Sequence, residues 1–248
     1  MPILTNPKWS LPVAASLLLL ATACGCGGGP AKDTTVEPHV LKGTVKNAAG
    51  QPLAGVTVMA DDTQRYNAHT QGVTDANGAF RIELDPDRVT SYRALASLET
   101  EWDGQEWVLS LAPDSSAPFN GKDGAIRHFT WKLQGEHWDG TGYGGEVAVV
   151  RDLEDSQIDL DSIEVDLVPA GPRIDGSSGE PLTIKLADSH EHSDVPLGRY
   201  TVSARDVGED PLPIRVRVGE TGAFAPSVEA GFESRTFHGV MLIEVTSR

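Results

Sequence analysis

The run Asp188-Ser189-His190-Glu191-His192-Ser193-Asp194 is the densest set of metal-ligating side chains in this 248-residue sequence. In an extended segment residues two apart share a face. Asp188, His190, His192 and Asp194 would then present two imidazoles and two carboxylates on one side, a donor set that suits zinc. A solvated hairpin loop explains the same residues more simply, and no cofactor is expected. The acidic pairs Asp61-Asp62, Asp152 to Asp155 and Asp159-x-Asp161 lack the spaced Asp/Asn/Gly loop with a distal Glu that calcium needs, and read as charged turns. A second chemistry lies in the aromatics. Trp102, Trp107, Phe119, Phe129, Trp131, Trp138 and Tyr143 fall within 42 residues. Indole and phenol faces on a surface stack against sugar rings, and neighbouring polar side chains read hydroxyls. Trp102, Trp107, Trp138 and Tyr143 are the candidate ligand surface, whereas Phe129 and Trp131 are assigned to a core or an inter-domain seam.

Catalytic sets are tested by their missing parts. None of the seven histidines has a glutamate three residues on, so the His-x-x-Glu zinc pair of a carboxypeptidase is absent. There is no Gly-x-Ser-x-Gly elbow and no phosphate loop, and both cysteines, Cys24 and Cys26, precede the body, which leaves no Cys-His pair. The chain is therefore read as a non-enzyme.

These residues must be positioned by strands. Leu41, Gly43 and Val45 alternate, Asn47 to Pro52 turn, and Val56, Val58 and Ala60 alternate again. A third and a fourth strand are expected to meet in a tight hairpin at Asp75-Ala76-Asn77-Gly78, followed by Phe80, Ile82 and Leu84. The pattern Gly43-x-Val45, Gly50-x-Pro52-Leu53-x-Gly55-Val56-x-Val58, Thr74-Asp75-x-Asn77-Gly78-x-Phe80-x-Ile82 resembles the carboxypeptidase regulatory-like domain. That resemblance implies a transthyretin-like β-sandwich, also described as a carbohydrate-binding-like fold, serving as a non-catalytic accessory module of extracytoplasmic proteins. Further strands of this sandwich are expected at Tyr92-x-Ala94-x-Ala96, at Trp107-x-Leu109-x-Leu111 and from Ile126 to Leu133, where Arg127, Phe129, Trp131 and Leu133 form the buried set.

Beyond a connector at residues 135–145, apolar-rich runs at 147–150, 163–168, 182–186, 200–204, 214–218, 227–232 and 240–245 are separated by Gly, Pro, Asp or Ser, the spacing of a second sandwich. Val195-Pro196-Leu197-Gly198-Arg199-Tyr200-Thr201-Val202 is similar to the Pro-x-Gly-x-Tyr-x-Val corner of transthyretin-like and Ig-like modules, where the tyrosine ring caps the core. No internal repeat is legible. The expected fold is all-β, two antiparallel sandwiches at 39–134 and 135–248.

Residues 1–23 carry one cation, Lys8, and a 13-residue apolar run, LPVAASLLLLATA, too short to span a bilayer and suited to a signal peptide. Ala21-Thr22-Ala23-Cys24 resembles a bacterial lipobox, which implies a lipid on Cys24 and export to the envelope as an outer-membrane lipoprotein. Residues 24–38 then form a Gly/Pro-rich tether. With the leader removed, 19 basic side chains stand against 36 acidic ones, a net charge of −17. Such a surface repels phosphate backbones, so nucleic acid is excluded and membrane contact is limited to the anchor. The partners left are an envelope protein or a glycan.

Overall fold

The computed structural model describes residues 35–186, 190–219, 222–235 and 238–248. Cys24, the leader and most of the tether lie outside the described residues, as does Asp188. The expected all-β fold is observed: no α-helix occurs among the described residues, and residues 35–248 form one compact unit.

The first half contains β1 (Val40–Asn47), β2 (Thr57–Asp62), β3 (His69–Val73), β4 (Ala79–Glu83), β5 (Ser91–Trp102), β6 (Gln105–Ser110), β7 (Ala112–Pro113), β8 (Phe119–Asn120) and β9 (Ala125–Trp131). One sheet runs β4-β1-β9-β7 and the other β3-β2-β5-β6, with β8 on β5. The inward positions are those the alternation assigned: Leu41, Val45, Val56, Val58, Phe80, Ile82, Tyr92, Ala94 and Phe129 are all buried in one cluster.

The turn at residues 75–78 differs from the expected hairpin. Among these four residues only Gly78 has a positive φ, 70°. Asp75 organises the turn, its carboxylate accepting from the N–H groups of Asn77 (2.9 Å) and Ala79 (2.8 Å). The strands on either side then part company, β3 to pair with β2 and β4 to pair with β1. The turn bridges two sheets rather than closing one ladder.

The second half contains β10 (Gly145–Arg151), β11 (Ile163–Pro169), β12 (Leu182–Lys185), β13 (Glu191–Val195), β14 (Tyr200–Asp206), β15 (Arg215–Val218), β16 (Val228–Ala230), β17 (Glu233–Arg235) and β18 (His238–Thr246). Its sheets run β13-β10-β18-β15, with β17 on β18, and β12-β11-β14-β16. This order nearly repeats that of the first half. In each half the first strand pairs in parallel with the last, β1 with β9 and β10 with β18, inside sheets otherwise antiparallel. A repeat of topology thus exists where the sequence shows none, because burial constrains only the polarity pattern of each strand.

The corner at residues 195–200 forms as expected. Tyr200 is buried, its hydroxyl donates to the Pro196 carbonyl at 2.7 Å, and its ring meets Phe232 edge-on at 6.4 Å. The two halves meet through the β5–β6 hairpin. β5 is 12 residues long, and it turns at Asp103 (φ 52°) and Gly104 (φ 72°), both left-handed as a two-residue type I′ turn requires. Trp107 and Leu109, expected in the first core, belong instead to the core of the second half, where Trp107 is 1% exposed. Gly239 makes this possible, since a Cβ there would stand 3.0 Å from the Trp107 ring. Gln105 completes the junction with side-chain bonds to the Phe232 carbonyl (3.0 Å) and the Ser234 N–H (2.9 Å), and Arg199 grips both carboxylate oxygens of Asp103.

Candidate functional site

Between β9 and β10 the chain folds into a small hairpin. His137 and Thr141 are joined N–H to C=O at 2.7 Å, Tyr143 N–H reaches the Gly135 carbonyl at 3.0 Å, and Gly140 takes φ 89° at the tip. Asp139 shapes the tip by local side-chain to backbone bonding. Its Oδ1 accepts from Thr141 N–H (3.0 Å), Thr141 Oγ1 (2.7 Å) and His137 Nδ1 (2.8 Å). The Thr141 hydroxyl, His137 and the Thr141 N–H together hold the Asp139 carboxyl far below the usual carboxylate range. His137 in turn packs edge-on against Tyr143 at 5.1 Å and beside Trp138 at 5.5 Å. Burial, with the nearby Asp139 charge, pushes the Tyr143 phenol up.

This hairpin is held from the second half. β13 carries one extra residue opposite β10, a β-bulge between the pairs Gly145↔Val195 and Val147↔His192. The bulge puts Asp194 at φ 71° and turns its carboxylate onto the connector, where it accepts from Gly135 N–H (2.9 and 2.8 Å) and Gly144 N–H (3.0 Å). Gly142 and Gly144 permit the approach: a Cβ on either would lie within 2.8 Å of Asp194.

Two hollows share the His137–Tyr143 wall. One, about 530 Å³, is floored by Leu109, Trp131, Leu133 and Leu197 and carries Asp139 at its margin. The other, about 450 Å³, is more open and carries Trp138.

The candidate residues are thereby sorted. Trp138 is 45% exposed, with the Arg93 guanidinium 4.0 Å over its ring, and stands beside Tyr143 on the connector. Trp107 does not join them. It is sealed in the second core, and its indole N–H donates to the Trp102 carbonyl at 3.1 Å. Trp102, half-buried, packs edge-on against it at 6.1 Å beside the same core. Trp131 touches both cores and is a seam residue, as assigned.

The His/Asp run needs two corrections. Residues 191–195 are an edge strand rather than a loop; their polarity suits a strand exposed along most of its length. Among the described residues of the run, the left-handed His190 (φ 54°) and Asp194 (φ 71°) break the alternation that a shared face requires. His190 Nε2 lies 3.0 Å from Asp161, Asp194 clasps the connector, and no group of three or more His, Cys, Asp or Glu placed to hold a metal occurs among the described residues. The sequence reading passed over His137, Asp139 and Thr141. Their signal was available: Asp139-Gly140 is a turn dipeptide, followed at once by a hydroxyl residue that bonds the aspartate.

Residues 40–100 match the carboxypeptidase regulatory-like domain. The match spans β1 to most of β5 and stops before the junction hairpin turns, so the connector and the second half lie beyond the regulatory-like domain. No curated protein matches the chain. Among solved structures, the Bacillus anthracis TIE protein aligns at 14% identity over 84% of this chain and 34% of its own, with a TM-score of 0.33. The shaft pilin SpaA of Lactobacillus rhamnosus GG aligns at 11% identity over 83% of this chain and 98% of its own, TM-score 0.24. The major pilin subunit BcpA of Bacillus cereus aligns at 9% over 85% and 100%, TM-score 0.26. This chain spans about a third of the length of the TIE protein. Likenesses at these TM-scores carry no inference about function. No helix of the described residues is long and apolar enough to cross a membrane.

Proposed function

We propose that this chain is a non-catalytic binding or structural module of the bacterial cell envelope, held at the outer membrane by a lipid on Cys24 and needing no cofactor. The observation that supports it is the match of residues 40–100 to the carboxypeptidase regulatory-like domain, a resemblance that implies a non-catalytic accessory module. In this reading residues 39–134 and 135–248 are two sandwiches stiffened into one body by the Trp107 junction. Replacing Cys24→Ser tests the anchor: the protein is expected to leave the membrane fraction and to lose the mass of its acyl chains. Unchanged partitioning and mass would overturn it.

A second reading is carbohydrate binding, narrowed from the residue 102–143 region to the connector. The exposed indole of Trp138 beside the half-buried Tyr143 favours it, both rings standing on the connector.

A further inference from the structure

The larger connector hollow has a polarity that selects its occupant. Asp139 Oδ1 takes all three of the hydrogen bonds that carboxylate makes among the described residues, which leaves Oδ2 open. In the neutral tautomer that carries its proton on Nδ1, His137 donates to Asp139 and presents Nε2 as an acceptor. The Tyr143 hydroxyl has no hydrogen-bond partner among the described residues and can donate or accept. These groups line the hollow together with the apolar side chains of Leu109, Trp131, Leu133 and Leu197.

The charges around the hollow are mixed. Lys132, Asp139 and Glu146 line the same hollow, so it presents charges of both signs and no single-sign field that would select an ion. The acceptors and the apolar lining together suit an uncharged molecule with several hydroxyl donors on one edge and C–H groups on one face, of a size suited to about 530 Å³. The geometry points to a neutral saccharide bound in the hollow between the connector and the β6–β9 floor, its hydroxyls read by Asp139 Oδ2, His137 Nε2 and the Tyr143 hydroxyl, and its ring lying on Trp131. This rests on the carbohydrate reading above and sharpens it: the recognising groups are inside the hollow, and the exposed Trp138 is not among them. Asp194 acts as a positioning residue, clasping the two ends of the hairpin that carries all three readers.

The test is titration of the full chain, kept in solution without a glycosidic detergent, with maltose, cellobiose, lactose and N,N′-diacetylchitobiose, followed by calorimetry and tryptophan fluorescence. At least one disaccharide is expected to bind saturably. Tyr143→Phe and Asp139→Asn should each weaken it about tenfold, the loss of one hydrogen bond to ligand, with melting temperature moved by no more than about 2 °C. Trp138→Ala, which removes the ring packed beside His137, should weaken it less than Tyr143→Phe does. No saturable binding of any of the four overturns both the hollow and the carbohydrate reading. Binding lost in Trp138→Ala but retained in Tyr143→Phe overturns the hollow while the surface reading stands. Should Asp139→Asn fail to fold, Tyr143→Phe decides alone. Cleavage of the bound disaccharide would support the hollow and overturn the non-catalytic reading.

Discussion

Asp155 is fully buried, and its carboxylate ties the end of the chain to the body. Oδ2 accepts from the Ser247 N–H and hydroxyl, both at 2.7 Å, and from the Thr246 hydroxyl at 3.2 Å, while Oδ1 accepts from Gln157 N–H at 3.1 Å. The Ser247 side chain and backbone contribute most to holding its carboxyl well below the usual range. A depressed folded-state pKa stabilises the fold at every pH above the unfolded value of about 3.9, and that contribution fades as the pH falls through the folded value. Asp155→Asn is therefore expected to cost about 1–3 kcal/mol near neutrality, from donors left poorly matched, and to flatten the loss of stability between about pH 5 and pH 2. Urea midpoints measured across that range check it; an acid limb as steep as that of the unmodified chain would count against it. In sequence Asp155 is one of several acids in a charged loop. Its burial could not be read there, because Thr246 and Ser247, which cover Oδ2, lie 91 and 92 residues away.

Each half depends on a parallel pair embedded in antiparallel sheets, and Gly43 shows what that pairing demands. Gly43 pairs with Arg127 across β1 and β9 and with Phe80 across β1 and β4. A Cβ at this position would stand 1.6 Å from the Arg127 carbonyl oxygen and 3.0 Å from the Phe80 ring. Since the first contact is with backbone, no rotamer change relieves it. Gly43→Ala is expected to force β1 and β9 apart at a cost above about 3 kcal/mol, where an alanine in an ordinary strand site is close to neutral. Gly50→Ala, whose Cβ meets nothing, is the comparison: its φ of 80° carries only the local strain of about 1 kcal/mol. Thermal melts of the two variants rank them. At this scale the sequence was largely legible, since seven apolar runs of the second half became β10, β11, β12, β14, β15, β16 and β18. The short polar strands β13 and β17 were not, because an edge strand facing water has no apolar period to display.

At the scale of the molecule, Trp107 joins the halves. It leaves the first half on β6, enters the second core, and is surrounded there by hydrogen bonds from Gln105, Ser234 and Arg199. A shared buried indole makes unfolding of one half costly for the other, so a single calorimetric transition is expected for residues 35–248. Trp107→Ala should lower stability by about 3–5 kcal/mol and split that transition in two, whereas Asp103→Asn, which removes a partly exposed ion pair and keeps a residue that tolerates the left-handed turn, should cost about 1 kcal/mol or less and leave it single. Differential scanning calorimetry distinguishes the cases, and two transitions in the unmodified chain would show the halves to be independent.

Strand by strand, the sequence determined the all-β fold, the inward residues of the regulatory-like domain and the Tyr200 corner, since these follow from alternation and turn chemistry within short windows. Tertiary structure decided which strands pair in parallel, which core receives Trp107, and which polar groups meet at the connector. His137, Asp139 and Tyr143 are placed by Asp194, more than 50 residues downstream, through a bulge in an edge strand. The physical reason is the same throughout. Local polarity fixes which face of a strand is buried, but close approach of a carboxylate to a distant backbone depends on register and on left-handed residues, which leave almost no trace in composition.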